Sequence, residues 1–313
     1  MRPSLRAFLT DLIDYAGLFP PALLDLAPAI ANHLRYRGGP DAWMLGRFII
    51  PAARLDDLAP HVVDAPGSPV ALSVLGLRDV TGGIGDVLSA TREAALSFEA
   101  QNERAVCDAF ELRASASDVD AGLAGPLTEA GLGERDLVAV EVPLVGDAYA
   151  ADRIEHAAHS LAETNARLGR QAVGLKLRCG GVTPDLVPSV ERVAHAIVAC
   201  REAGAPFKAT AGLHHPVANH DAAVGTQMMG FVGFFGGACL AHAHRLDADA
   251  LAEVLDDAEA SHFTFDDEFA WRSLRVAPET IARVRQTAAL SFGSCSFDEP
   301  REDLRALGWM GAA

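Results

Sequence analysis

Short apolar runs alternate with longer amphipathic stretches along the whole chain. Runs with the length and composition of buried β-strands lie at residues 12–17, 43–51, 69–77, 106–113, 137–144, 172–180, 206–212 and 261–269. Residues with the apolar spacing of helices lie at 22–37, 85–103, 149–169, 189–204 and 278–290. Strands that alternate with helices predict a parallel (β/α)₈ barrel, a TIM barrel, formed as a single domain over residues 1–313 with a C-terminal tail at 291–313. A doubly wound open sheet is the alternative, but no G-x-G-x-x-G motif follows an early strand.

Polar residues interrupt the predicted strands with period two, which places them on the same face as one another. In a barrel that face points inward, and the active site lies where the strands end. Charges inside a barrel are costly unless they are paired, so the ring indicates a polar active site or a set of mutually neutralising ion pairs. The residues on this face are Asp14, Arg47, Ser73, Glu111, Arg113, Glu141, Lys176, Arg178, Lys208, Thr210, Thr264 and Asp266.

The chain contains only two lysines, Lys176 and Lys208, and both lie inside apolar, strand-like runs. Its other basic residues are all arginine, which suffices wherever only a surface charge is needed. Lysine differs because its compact amine can lose a proton and become a nucleophile. We therefore expect Lys176 and Lys208 to be catalytic rather than chance survivors on the surface.

Composition narrows the class of partner. The formal net charge is −16 and no run of Lys or Arg occurs, which argues against nucleic acid and against anionic membrane surfaces. Asp11 and Asp14 interrupt the N-terminal apolar stretch, and the apolar window at 228–241 is too short to cross a bilayer. The five scattered cysteines form no C-x-x-C pair. We expect a cytoplasmic protein with a small-molecule ligand; the oligomeric state stays open, a homo-oligomer included.

The stretches "GLKLRCGG" (174–181) and "FKATAGLHH" (207–215) resemble strands six and seven of the deoxyribose-phosphate aldolase family of class I aldolases. The resemblance implies that Lys176 forms a Schiff base with the substrate, without a cofactor. In that family a second lysine, here matched by Lys208, lowers the pKa of the first. Two further stretches, at 12–22 and 291–308, resemble bacterial proteins of no assigned activity and imply none.

The chemistry of these residue types fits an aldolase or another C–C lyase. An iminium formed on Lys176 is an electron sink, and Glu141 or Glu111 would move protons. The acidic stretch at 263–271 would repel a phosphate, so we expect a small anionic carbonyl or carboxylate compound. Its predicted ligands are Arg178, Arg47, Arg113, Thr210, His214 and His215.

Two other functions stay open. Glu111, Glu141, His214, His215 and Asp266 could bind Mg²⁺, Mn²⁺ or Zn²⁺ in a lyase or isomerase with a lysine as general base. Alternatively, the barrel could bind an anion without turnover. Ser294, Cys295 and Ser296 could reach back over the barrel, and the sequence assigns them no role.

Overall fold

Eight parallel strands form a closed barrel, which confirms the predicted TIM-barrel architecture. The computed structural model describes residues 2–146 and 149–311; residues 1, 147, 148, 312 and 313 lie outside the described part. Around the barrel the order is β1–β13–β7–β6–β5–β4–β3–β2. The barrel strands are β1 (Ile13–Tyr15), β2 (Leu45–Pro51), β3 (Val70–Leu75), β4 (Ala105–Arg113), β5 (Leu137–Glu141), β6 (Val173–Arg178), β7 (Phe207–Thr210) and β13 (Ala289–Ser294).

Helices cover the outside of the barrel, and the five that were predicted lie close to their predicted positions. The helices are α1 (Pro3–Leu9), α2 (Leu26–Arg37), α3 (Leu55–Val62), α4 (Ile84–Glu99), α5 (Ala116–Ala121), α6 (Ala124–Glu129), α7 (Ala151–Leu168), α8 (Val190–Ala203), α9 (Phe231–His244), α10 (Ala248–Leu255), α11 (Pro278–Thr287) and α12 (Asp298–Ala306). Among the described residues, no helix combines the length and the apolar character that crossing a membrane requires.

The prediction that residues 261–269 form the eighth barrel strand is wrong. This segment belongs to an antiparallel sheet outside the barrel, made of β10 (Phe263–Phe265), β11 (Phe269–Trp271) and β12 (Leu274–Val276). Phe265 and Phe269 pack against Phe8 of α1. Alternating aromatic residues are typical of any half-buried strand, so their pattern does not distinguish this small sheet from a barrel strand.

The eighth barrel strand is β13, which the sequence analysis divided between the end of a predicted helix at 278–290 and the start of the C-terminal tail at 291–313. It pairs in parallel with β1 on one side and with β7 on the other. The segment reads weakly as a strand because Ser291 and Gly293 interrupt it, and glycine is depleted in strands. Beyond it, α12 folds back onto the protein. A second short antiparallel pair, β8 (Asn219–Asp221) and β9 (Thr226–Met228), follows β7.

The alternation of polar and apolar residues along the barrel strands separates two environments. The apolar residues that alternate with the inward-facing polar set are almost fully buried: Leu72, Val74, Phe110, Leu112, Val138, Val140, Leu175 and Leu177. Burying them between strands and helices supplies much of the favourable free energy of folding. The opposite face of the same strands carries the charged side chains, which are thereby confined to the barrel interior.

Candidate active site

Five charged side chains meet inside the barrel, and all five are buried. They are Asp14 on β1, Glu111 on β4, Glu141 on β5, Lys176 on β6 and Lys208 on β7. Strand register brings three of them together, since Glu141 lies opposite Lys176 and Lys176 lies opposite Lys208. The sequence analysis placed all five on the inward face.

Glu111 lies at the centre of this ring and binds both lysines. Its Oε2 is 3.0 Å from Nζ of Lys176, and its Oε1 accepts a hydrogen bond of 2.6 Å from Nζ of Lys208. The Ser73 hydroxyl donates a further bond of 2.7 Å to Oε1. Burial works to raise the pKa of Glu111, but the charges of Lys208 and Lys176 outweigh it and hold that pKa far below its ordinary value. Glu111 is therefore a carboxylate at every physiological pH.

Lys208 is held between two carboxylates. Its Nζ donates to Oδ2 of Asp14 at 2.8 Å, in addition to its bond with Glu111. Ser291 donates to the same Asp14 oxygen, and the Arg47 backbone N–H donates to the other one. Burial works to lower the pKa of Lys208, yet Asp14 and Glu111 raise it above the ordinary value overall. Lys208 is accordingly a fixed cation.

Lys176 is bound on its other side by Glu141. Its Nζ lies 2.9 Å from Oε2 of Glu141, whose carboxylate also accepts a two-pronged contact from Arg178 and a 2.9 Å bond from Arg113. Burial works to raise the pKa of Glu141, but Lys176 and Arg178 outweigh it and lower the pKa to about 2. Lys176 therefore has an ionised carboxylate on each side.

An open cavity of about 520 Å³ lies at the C-terminal ends of the strands. Lys176 and Glu111 form part of its floor, and the turns that follow the strands form its walls. Its polar lining includes Arg78, Arg178, Thr210, His214, Asp221 and Cys295, together with Lys176 and Glu111. This upper cavity is where a TIM barrel binds its substrate.

A second cavity of about 340 Å³ enters the barrel from the N-terminal ends of the strands. Its walls include small residues on inward-facing positions, Ala109, Ala139 and Gly174, where other barrels carry bulky branched side chains. Lys208, Asp14 and Ser291 line this lower cavity, and Glu111 lines both cavities. The ring of charges thus separates the two cavities, with Lys176 facing the upper one.

Two of the arginines expected to bind substrate lie elsewhere. Arg47 lines the lower cavity and forms two bonds with Asp108, at 2.7 and 3.0 Å. The Arg113 side chain is 74% exposed, although its end contacts Glu141. Arg178 and Thr210, by contrast, line the upper cavity beside Lys176. Period-two alternation along a strand correctly predicts which residues face the barrel interior. It does not predict whether a long side chain then extends towards the upper cavity, the lower cavity or solvent.

The two adjacent histidines bind α12. His214 Nδ1 lies 3.2 Å from Oε2 of Glu299, and His215 Nδ1 lies 2.7 Å from Oδ2 of Asp303. Because the two acids are four residues apart on one helix, they lie on the same face of α12 and contact consecutive residues of the turn after β7. His214 also lines the upper cavity, whereas His215 is outside its lining and contacts Asp303 of α12 instead.

A tight turn after β7 directs His214 to this position. Ala211 has φ of 61° and Gly212 has φ of 76°, both in the left-handed region. A side chain on Gly212 would place its Cβ 2.8 Å from the carbonyl oxygen of Cys179, so only glycine fits there. A non-glycine residue in the left-handed region is uncommon and tends to occur near functional sites.

The five metal ligands proposed from the sequence do not form one cluster, although Glu111 and Glu141 both contact Lys176. Asp266 lies in the turn between β10 and β11, its side chain is 74% exposed, and its contact is with Arg2 at 3.6 Å. Its expected place at the barrel mouth depended on the wrong eighth strand. Within residues 2–146 and 149–311, no three His, Cys, Asp or Glu side chains are grouped so that they could hold a metal ion.

Several residues of the ring and of the upper cavity had no role in the sequence analysis. Asp14 and Ser73 were placed on the inward face by period two, but nothing in the sequence assigned Lys208 to Asp14. Arg78 and Cys295 follow strands β3 and β13, and Ser291 lies within β13. A correct eighth strand would have brought Ser291 and Cys295 to the site.

Comparison with solved structures identifies similar barrels. Two structures of a "putative deoxyribose-phosphate aldolase" from Toxoplasma gondii ME49 match this chain with a TM-score of 0.51 and 13% sequence identity. The matches cover 99% of this chain and 97% and 99% of those chains. At this identity the likeness establishes the barrel fold alone. No protein-family model matches the chain, and no curated protein matches it.

Proposed function

We propose that this protein is a lysine-dependent C–C lyase of the aldolase type, which acts on a small anionic carbonyl compound through a Schiff base on Lys176. The observation that carries the proposal is the buried Lys176 amine at the floor of the upper cavity, 3.0 and 2.9 Å from the carboxylates of Glu111 and Glu141. A primary amine that is reachable from a cavity and is flanked by proton acceptors is the equipment that imine formation requires.

The reaction follows from the placement of these groups. Lys176 Nζ attacks the substrate carbonyl carbon as the free amine, and its proton passes by way of a flanking carboxylate to the carbonyl oxygen. That oxygen takes a second proton from solvent and leaves as water, which gives an iminium that withdraws electrons from the bond between the α and β carbons of the substrate. When a base removes the β-hydroxyl proton, that bond breaks and its electron pair moves into an enamine. Protonation and hydrolysis then return the amine and the second product.

Lys208 supports this chemistry as a charge. Because it is bound to Asp14 and Glu111 and its pKa is raised, it stays protonated while Lys176 reacts. It also occupies one oxygen of Glu111, which leaves the other oxygen for Lys176. In this proposal Lys208 is therefore a positioning residue whose effect reaches the substrate through Glu111 and through the field of its charge.

The lining of the upper cavity supports an anionic substrate. Arg78 and Arg178 lie on its wall, and the pKa of His214 is raised to about 10 by Cys295 and Glu299, so that His214 is a third cation. Arg78 forms no ion pair with any described residue, so its guanidinium is available to a ligand. Arginine binds carboxylates through paired, charge-assisted hydrogen bonds.

Borohydride trapping tests the proposal. The purified protein is treated with sodium borohydride in the presence of small aldehydes and 2-oxo acids, and the adduct is located by intact mass and peptide mapping. We expect one adduct, on Lys176, because an iminium on that residue is reduced to a stable secondary amine. With only two lysines in the chain, the assignment is unambiguous.

The control is the Lys176→Met variant, which keeps an unbranched side chain as far as Cε and removes the amine. Its fold is checked by circular dichroism, and we expect it to lose the adduct that the unmodified protein carries on Lys176. Absence of an adduct from the unmodified protein across the panel, or an adduct confined to Lys208 or the α-amino group, would contradict the proposal.

A further inference from the structure

Cys295 differs from every other cysteine of the chain in its surroundings. It follows β13 directly, is partly exposed and lines the upper cavity. The other cysteines are buried, and burial raises the thiol pKa of each: Cys107, Cys179, Cys200 and Cys239. A buried apolar thiol is inert, whereas one that is accessible beside a cation can react.

A histidine lies beside this thiol. Cys295 Sγ is 3.9 Å from His214 Nδ1, and Glu299 Oε2 is 3.2 Å from the same nitrogen. These contacts with Cys295 and Glu299 outweigh burial and raise the pKa of His214 to about 10. The three side chains come from two different loops and one helix, and they meet at the wall of the cavity.

Two further titratable groups interact electrostatically with this pair. Cys295 contributes to the raised pKa of Tyr15 on β1. Both His214 and His215 contribute to the lowered pKa of Asp221 on β8. His215 itself is bound to Asp303. Glu299 and Asp221 both interact electrostatically with His214, and they stabilise its protonated form. A protonated imidazole beside a sulfur stabilises negative charge that develops there and can give a proton to an adding carbonyl.

We propose that Cys295 and His214 form a second nucleophilic centre in the upper cavity, which binds small aldehydes reversibly as thiohemiacetals. Sγ forms a bond with the carbonyl carbon, and the π electrons of the C=O bond move to its oxygen. His214 donates its proton to that oxygen and receives the proton of the thiol in return. No atom is oxidised or reduced, and the step reverses when the proton returns. The centre is independent of Lys176, and an aldehyde that reacts there is retained at the cavity wall.

Thiol alkylation with iodoacetamide at neutral pH, followed by peptide mapping, tests the reactivity of Cys295. We expect Cys295 to be alkylated at least tenfold faster than free cysteine, while the four buried cysteines stay unmodified and report that the protein is folded. His214→Gln should slow alkylation of Cys295 about tenfold, because the sulfur loses the neighbouring cation that stabilises the negative charge developing on it. His215→Gln is the matched control and should change the rate less than twofold. A rate equal to that of free cysteine, or one unaffected by His214→Gln, would overturn the proposal.

Protection by aldehyde tests the ligand. Propionaldehyde should slow the alkylation of Cys295 in a concentration-dependent manner, both in the unmodified protein and in Lys176→Met. If protection occurs in neither protein, or is lost in Lys176→Met, Cys295 does not bind the aldehyde and the assignment fails. Because Lys176→Met cannot form an imine, this outcome is separable from the outcome of borohydride trapping.

Discussion

Lys176 and Lys208 lie opposite each other on neighbouring strands and bind the two different oxygens of one carboxylate, that of Glu111. Two ammonium groups so close together would repel each other strongly without that shared anion. Each lysine also contacts a second carboxylate: Asp14 pairs with Lys208, and Glu141 pairs with Lys176. Arg178 and the exposed Arg113 add positive charge beside Glu141 at the rim, so every buried charge of the ring has an opposite charge next to it. This pairing is what permits charges at the centre of the barrel.

The first prediction concerns this shared carboxylate. Glu111→Gln keeps the shape of the side chain but leaves both lysines short of one counter-charge. Removing one partner from a buried charge network costs about 3–5 kcal/mol, so we expect the free energy of unfolding to fall by that order. Urea denaturation measures it. Glu163→Gln, which breaks the exposed pair with Arg167, is the control and should change stability by less than about 0.5 kcal/mol. A similar small change for both variants would contradict a stabilising role for Glu111.

The second prediction concerns the residue type at position 208, which is lysine although nearly all basic residues of the chain are arginine. One Nζ atom satisfies Asp14 and Glu111 at 2.8 and 2.6 Å, and the longer arginine side chain with its planar fork does not fit between these two carboxylates without displacing one of them. Lys208→Arg should therefore destabilise the protein by about 1–3 kcal/mol through overpacking. Thermal unfolding compares it with Arg54→Lys at an exposed pair, for which little change is expected. Equal stability of Lys208→Arg and the unmodified protein would show that a charge alone suffices at this position.

The third prediction is a loss of stability in acid. The pKa values of Asp14, Glu111 and Glu141 are lower in the folded protein than in the unfolded chain, so the ionised forms stabilise the fold. Their contribution is complete above the unfolded pKa and is lost as the pH falls through the folded one. For Glu141 that window runs from about pH 4.5 to about pH 2, and the linked free energy is on the order of 3 kcal/mol.

Urea denaturation at a series of pH values measures this dependence. We expect stability to fall steadily below about pH 5, and Glu141→Gln to show a shallower slope over the same range, because one linked proton is missing. Parallel curves for the two proteins would mean that Glu141 has the same pKa in the folded and unfolded chains.

The inward face of seven strands could be predicted from the sequence, because the alternation of side chains within a single strand determines which of them share a face. Period-two alternation places Lys176 and Glu111 inside whatever their partners are. The eighth strand was missed because the aromatic alternation of Phe263 and Phe265 is as typical of an antiparallel sheet as of a barrel strand. Partners such as Arg47 with Asp108 depend on strand register and side-chain direction, and a single strand contains information on neither.

The fourth prediction tests the close approach of strands at the lower cavity. A Cβ on Gly174 would lie 2.3 Å from the carbonyl oxygen of Pro206, a backbone atom that cannot move aside. Gly174→Ala should therefore lower the free energy of unfolding by about 1–3 kcal/mol. The matched control is Gly125→Ala in α6, where a Cβ meets no atom within 4 Å. There the same change should stabilise the protein, by about 0.4–1 kcal/mol, since alanine favours the helix. Effects of the same sign would contradict the proposed packing at Gly174.

The last prediction concerns the substrate anion and depends on Arg78, which lies on the wall of the upper cavity without an ion-pair partner among the described residues. If Arg78 binds the carboxylate of a 2-oxo acid, Arg78→Gln should weaken that interaction and leave neutral aldehydes unaffected. The measurement is the rate of borohydride trapping with pyruvate and with propionaldehyde, each at subsaturating concentration.

We expect the ratio of the pyruvate rate to the propionaldehyde rate to fall about tenfold in Arg78→Gln, which corresponds to the loss of one charge-assisted contact of about 1.4 kcal/mol. Arg54→Gln removes an exposed arginine outside the lining of the cavity and should leave the ratio unchanged. The comparison of two carbonyl compounds in one protein cancels any general effect on Lys176, because both form their imine on the same amine. An equal fall for both compounds would assign Arg78 to the shape of the cavity, and an unchanged ratio would leave Arg178 and His214 as the groups that bind the anion.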